Sequence, residues 1–345
     1  MTQPVGMTQP VEVTRTPPVL ALPSTSERLT ARLQQGLADV EAVLRRRVDH
    51  DDPFVAEANH HLLGAGGKLF RPMLTLLAAE VGAGPTAEVV AAAAGVELTH
   101  LASLYHDDVM DDAEVRRGVP TANAAYGNST AILVGDLLFG TASAIIADLG
   151  PEAVKIQSAT FMRLCSGQIR DERGAQPGDD PVEFYLGVLA DKTGALVATA
   201  ARYGAMFSGC PPQTVETLRV YGERLGVAFQ LADDLIDIAS ESDETGKTPG
   251  TDLREGKRTL PVLYALASAD PADSRLKELL TADLRDQASL DEALDLLRRN
   301  AAMDRAREHT LGVARQAQDA LALLADSDAK SALLALATGV VNRVG

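Results

Sequence analysis

From Ser26 almost to the last residue, apolar side chains recur every three to four positions, the period of an amphipathic helix. The first run covers about 26–47. Asp51, Asp52 and Pro53 then start a shorter helix that ends near Gly64. The turn GAGGK, 64–68, leads into LFRPMLTLLAAEVG, whose apolar content predicts a buried helix over about 69–81. Residues 86–106 read as a long alanine-rich helix that runs straight into a group of aspartates. Beyond the polar turn RRGVPTAN, the spacing predicts helices over about 125–148, 151–173, 182–208 and 212–239. GAQPGDDP, 174–181, is a loop, and 240–259 a long polar connection. Two or three further helices fill 260–345. Alternating Val/Ile/Thr runs of strand length do not occur. The pattern predicts an all-α chain with one domain over 24–345. Residues 1–23, rich in Pro and Thr with MTQP present twice, read as a disordered leader.

Composition supports this picture and narrows it. The 345 residues are 46 % hydrophobic but only 4 % aromatic, with no Trp, so alanine and leucine build the core, and both favour helix. A formal net charge of −16 argues against bulk nucleic-acid binding, although local basic clusters can still hold an anion. Cys165 and Cys210 are too few for a disulfide framework or a cysteine metal site and fit a reducing, cytoplasmic setting. The apolar run 131–147 is interrupted by Asp136 and is too short to read as a membrane span. The first 23 residues lack the charged start and long apolar run of a signal peptide.

The chemistry is concentrated in acidic clusters. In DDVMD, 107–111, residues four apart share a helix face, so Asp107 and Asp111 point one way and Asp108 and Asp112 another. Like charges at that spacing destabilise a helix unless a cation sits between them, and Mg²⁺ commonly takes one or two carboxylates plus substrate phosphates and waters. The D-D-x-x-D spacing recurs at Asp233, Asp234 and Asp237 within FQLADDLIDIA. A lone cluster reads as well as a solvated helix end. Two, each embedded in apolar sequence, point to a paired metal site around a diphosphate.

Cations supply the complementary half. They are Lys68 and Arg71 in GGKLFRP, Arg116 and Arg117, Lys192 in ADKTG, and Lys247, Lys257 and Arg258 in GKTPGTDLREGKRTLP. Several adjoin glycines, where backbone can approach a phosphate. The full G-x-x-x-x-G-K-[ST] string of a P-loop is absent, which excludes a nucleoside-triphosphate reading of GGK.

Taken together, GGKxxRP at 66–72, DDVMD with Arg116–Arg117, Lys192–Thr193, FQxxDDxxD at 229–237 and GKxxGxDLxxGKxTLP at 246–261 resemble a trans-isoprenyl diphosphate synthase, or polyprenyl synthetase. The resemblance covers roughly 26–343. It implies the all-α isoprenoid synthase fold, with helices around a central catalytic cavity, and a homodimer. The implied reaction condenses isopentenyl diphosphate with geranyl, farnesyl or geranylgeranyl diphosphate. Asp107, Asp108, Asp111, Asp233 and Asp237 would coordinate three Mg²⁺ ions, with Mn²⁺ able to substitute, and Asp234 would support the second cluster. Arg116, Lys192, Lys247 and Lys257 would contact the allylic diphosphate. Lys68, Arg71, His100 and Arg117 would hold isopentenyl diphosphate, and Thr193 and Gln230 would line the reaction centre. From the residues alone, His100 could equally be a packed core residue. In CSGQIRD, 165–171, Gln168 stands where many members have an acid, and Asp171 follows at the later position.

Product length is expected from the helix before the first cluster. Ser103 and Ala102, four and five residues before Asp107, are small, as are Thr99, Val96 and Gly95 below them. Val96 lies about 16 Å from Asp107 along the helix axis. A wall without a bulky side chain resembles that of medium- and long-chain enzymes and implies products of C30 or longer. Ile132, Leu133 or Phe139 on the next helix could plug the tunnel, whereas Tyr105 turns to another face. A long apolar product implies transient, peripheral membrane contact. The rival readings are a short-chain farnesyl or geranylgeranyl diphosphate synthase, a terpene cyclase and a non-catalytic synthase subunit.

Overall fold

In the computed structural model, which describes residues 25–240 and 249–344, the helical period is realised as helices almost throughout. The chain begins with α1 (Glu27–Val48), α2 (Pro53–Gly64), α3 (Phe70–Ala79) and α4 (Ala87–Met110). It continues with α5 (Ala122–Tyr126), α6 (Asn128–Ala147), α7 (Pro151–Arg173) and α8 (Pro181–Leu189). Then come α9 (Ala195–Phe207), α10 (Pro212–Ala239), α11 (Thr251–Arg254) and α12 (Leu260–Leu266). The last are α13 (Ser274–Leu280), α14 (Gln287–Arg298), α15 (Ala301–Ala320) and α16 (Asp328–Val344). The leader read at 1–23, and Lys247, lie outside the described residues.

Capping explains many of the boundaries. Ser26, Asp52, Thr86 and Asp180 each accept a backbone N–H from the first turn of the helix that follows; Pro53 and Pro181 open two of these helices, and Pro151 opens α7. Three expectations need correction. The helix over 182–208 is broken by a π-helical turn, Ala190–Gly194, between α8 and α9. The polar turn after the first aspartates contains a two-stranded antiparallel hairpin, β1 (Val115–Arg116) with β2 (Val119–Pro120), in register Val115 with Pro120. The segment from residue 260 onward holds five helices, α12 to α16, where two or three were expected, because short polar turns divide it more finely than periodicity reveals.

The core forms around α4, which is buried on nearly every side from Val89 to Asp108. It lies against α6, where a Cβ on Gly95 would come within 2.8 Å of the end of the Ile146 side chain, so glycine lets the two helices pack closely without displacing it. On other sides α4 meets α1, α3 and α9, while α10 packs on α9, α15 and α16. Both α4 and α6 are long and apolar enough to cross a membrane by length and composition. For α6 this departs from the sequence expectation, since Asp136 does not shorten the helix. α4 is a core helix, whereas α6 leaves much of its apolar surface open.

Candidate functional site

Two long helices end at the site. α4 terminates within DDVMD, and Asp111 is its C-cap. Asp107 is half-buried and Asp111 exposed, so the i, i+4 pair opens at the helix end as the spacing predicts. Burial pushes the Asp107 carboxyl up, and neighbouring Asp111 adds to that, while Lys192 and Arg116 pull it down. A carboxylate pair strained in this way, open to solvent and made of hard oxygens, suits a divalent cation.

Asp108 behaves differently. It is fully buried, and Arg116 Nε donates to its Oδ1, while Oδ2 has no protein partner. Its carboxyl is pushed up by burial and held down by Arg116. The helix turn that opens Asp107 and Asp111 thus points Asp108 inward, where it anchors the hairpin through Arg116. Arg116→Met should leave this carboxylate buried and unpaired, with a loss of about 2–3 kcal/mol in stability. Urea unfolding monitored by circular dichroism would measure it, and Asp112→Asn is the control expected to stay near the unaltered chain.

α10 carries the second cluster. Asp234 is 5 % exposed, accepts from the Tyr185 hydroxyl and from Gln230 Nε2 at 3.1 Å, and is pushed up to about 7 chiefly by burial. These two bonds fix it inside the protein, while the exposed side of the cluster is left to its neighbours on α10. Asp237 accepts the backbone N–H groups of Thr251 and Asp252 at 3.3 and 3.1 Å, which ties α11 to the end of α10. Lys257 pairs with Glu255 at 2.6 Å and also lies in the fields of Asp252 and Asp111. From the π turn, Lys192 Nζ reaches Asp171 at 2.9 Å and also acts on Asp107. Thr193 Oγ1 donates to Gln230 Oε1 at 3.5 Å. Among the described residues no three acidic, His or Cys side chains converge on one point. Carboxylates spread over two helix ends fit metals shared with substrate phosphates better than an all-protein cage.

A second basic pocket sits beside the first cluster. Arg117 Nη1 donates to the carbonyls of Leu62, at 3.2 Å, and Gly66, and so holds the GGK loop to the hairpin. A Cβ on Gly67 would lie 2.9 Å from that guanidinium, so a larger residue there would push Arg117 aside. Arg71 is lowered by desolvation and by Arg117, and its Nε is buried without a protein partner. His100 lies well below the usual histidine range through burial and through Arg71, Arg117 and Arg116, so it is a neutral ring able to donate to an anion. Lys68 is exposed at the rim. Glu97, one helical turn before His100, was not anticipated. It is a buried carboxylate pushed up by desolvation and countered by Arg71 and Arg117. The signal was a single charge inside the apolar run AAAAGVELTHL. Three non-glycine residues around these loops, Leu69, Asp112 and Arg117, have left-handed backbone at φ 44°, 47° and 55°.

Below the clusters, Ala102 is fully buried and Ser103 half-buried. One turn lower, Gln157 of α7 donates to Thr99 Oγ1 at 2.7 Å, a tie the sequence did not suggest. Of the three residues considered as plugs, Ile132 and Leu133 face outward, at 42 and 66 % exposure. Phe139 alone turns inward, with its ring 4.5 Å from Phe161 and 5.6 Å from His106. Tyr105 is fully buried and donates to the Ala58 carbonyl at 2.7 Å, away from the floor, as expected.

The family model for polyprenyl synthetase matches residues 52–297, a span that includes every motif above. The chain belongs to the polyprenyl synthetase family. Nonaprenyl diphosphate synthase of Mycobacterium tuberculosis is 49 % identical over 316 residues, covering 91 % of this chain and 94 % of that protein. Geranylgeranyl pyrophosphate synthase of Corynebacterium glutamicum, solved with calcium and isoprenyl diphosphate, superposes with a TM-score of 0.84 at 42 % identity, covering 93 % of this chain and 98 % of that one. Decaprenyl diphosphate synthase of Rhodobacter capsulatus has the same TM-score at 36 % identity, covering 92 and 99 %. The fold expected from the motifs, an all-α polyprenyl synthetase, is the fold observed.

Proposed function

We propose that this polyprenyl synthetase is a metal-dependent trans-prenyltransferase that adds isopentenyl diphosphate to an allylic diphosphate and extends the product to C30 or longer. The observation that carries the reading is the pair of aspartate clusters at the ends of α4 and α10, with Lys192 in the field of Asp107 and Lys257 in those of Asp111 and Asp252. The nonaprenyl and decaprenyl relatives support a long product. The geranylgeranyl relative keeps the short-chain alternative in view.

Asp107 and Asp111 on one side and Asp233 on the other would hold Mg²⁺, three ions in the full site, and the calcium complex of the relative supports divalent metal use. Bound there, the metal neutralises the diphosphate and stabilises the charge that develops as the allylic C–O bond ionises. Lys192, Lys257 and Arg116 add fixed positive charge on the same group, and Lys247 would join them. Asp108 and Asp234 act from behind, through Arg116 and through Tyr185 and Gln230. Lys68, Arg71, His100 and Arg117 grip isopentenyl diphosphate so that its double bond faces the allylic C1, and Thr193 and Gln230 line that point. The new C–C bond forms as the allylic C–O bond is lost, and the proton released from the isopentenyl unit passes to the departing diphosphate. The purified chain, given isopentenyl diphosphate, Mg²⁺ and each allylic primer in turn, should release labelled prenyl diphosphate of C30 or longer. EDTA should abolish the product. No incorporation would sink the reading, and a C15–C20 limit would favour the short-chain alternative.

The same reading includes a homodimer through α6 and α7. Seven of the eleven large apolar side chains left exposed among the described residues lie on these two adjacent helices, led by Leu133, Met162 and Ile169. A patch so concentrated is costly in water, and a second copy presents the same face in self-complementary form. Leu133→Glu should shift sedimentation from dimer to monomer; a mass unchanged at dimer would exclude this face. Cytoplasmic location and transient membrane contact during product release belong to the same proposal.

A further inference from the structure

We propose that Asp191 is a positioning residue, held by Arg163 and Arg170 so that the π turn presents Lys192 to the diphosphate and Thr193 to the reaction centre. The inference rests on the prenyltransferase reading given above. A π turn fits one extra residue into a helix and persists only where its surroundings compensate. Here the surroundings grip it at backbone distance. A Cβ on Gly167 of α7 would lie 2.8 Å from Lys192 N, and one on Gly226 of α10 would lie 3.0 Å from Gly194 Cα.

The charges complete the grip. Asp191 Oδ1 accepts from Arg163 Nε at 2.9 Å and Oδ2 from Arg170 Nη1 at 3.0 Å. Arg163 Nη2 also donates to Glu223 Oε1 at 2.7 Å and to the Ala190 carbonyl at 3.3 Å, inside the π turn itself. Arg219 donates to the other Glu223 oxygen at 3.1 Å. One chain of charges therefore binds α7, the π turn and α10 together. The next residue along, Lys192, reaches into the site, where its Nζ meets Asp171 and its charge acts on Asp107. The Arg163 and Asp191 side chains keep 38 and 22 % of their surface exposed, so water screens the pair and its share of global stability is small. Its effect is geometric: losing one end lets the turn relax toward a regular helix and rotates Lys192 away.

The experiment compares Asp191→Asn, Lys192→Ala and the double variant. Asp191→Asn should lower kcat by about 10–100-fold, leave the KM for isopentenyl diphosphate within about twofold, and keep Tm within about 2 °C. In the Lys192→Ala background it should add less than about twofold, because both changes act through one ammonium group. Arg163→Lys should retain most of the activity that Arg163→Ala loses. Multiplying effects in the double variant, or a fall in Tm with kcat intact, would overturn the proposal. If the unaltered chain shows no prenyl transfer, the functional reading fails separately. Calorimetric binding of Mg²⁺-pyrophosphate then decides the positioning role: equal, non-additive weakening by Asp191→Asn and Lys192→Ala supports it, and independent weakening overturns it.

Discussion

Asp107→Ala should lower kcat by about 10³-fold, a loss of about 4 kcal/mol of transition-state stabilisation. Asp107 opens at the end of α4 in the fields of both Lys192 and Asp111, so it joins the two cationic and acidic halves of the site. Its removal takes away a proposed metal ligand on which the charges of Lys192 and Arg116 act, while those two cations keep their direct partners, Asp171 and Asp108. The fold should survive, because the side chain is only half-buried and carries no core contact comparable to Asp108 with Arg116. Single-turnover measurements with saturating allylic diphosphate and Mg²⁺ would separate chemistry from binding. A loss smaller than about tenfold would mean that the metal sits elsewhere.

Ser103→Phe should convert a long-chain product profile to one ending at about C20 or shorter, since the ring would close the wall about 6 Å below Asp107. Ser103 is the better site for this test than Ala102. It is half-buried, whereas Ala102 is completely enclosed and a phenylalanine there would also strain the core by about 1–3 kcal/mol. Ala102→Phe should shorten the product too, at reduced thermal stability. Mass analysis of dephosphorylated products would show both. An unchanged product distribution in both variants would exclude this face of α4 as the wall.

Much of the architecture was legible because helical period and capping residues agree. α1, α2, α7 and α10 begin and end within a residue or two of the positions their Ser, Asp, Pro and Gly signals mark. The break at Ala190–Gly194 was not legible, because ADKTG contains only one weak helix breaker and the π turn packs at backbone distance against Gly167 and Gly226 on other helices, which spacing along the chain does not reveal. The site motifs were legible as composition and spacing, but orientation was not. Spacing groups Asp107 with Asp111 correctly, yet cannot show that Asp108 turns in to Arg116 or that Asp237 holds α11. Glu97, alone in an apolar run, and Gln157, one polar residue among many on α7, escaped notice because such a residue acquires meaning only from what lies across from it. For Glu97 that is Arg71 and Arg117, and for Gln157 it is Thr99.

The left-handed backbone of Leu69, Asp112 and Arg117 has a consequence for how such a protein can be improved. Each residue forgoes roughly 1 kcal/mol relative to glycine in the same conformation. Buried Leu69 and Arg117, which bonds Leu62 and Gly66, offset that strain through their side chains, so selection for heat resistance alone would find its gain at exposed Asp112. A glycine there would ease the turn that follows the first cluster, and a tougher protein would emerge with a looser mouth.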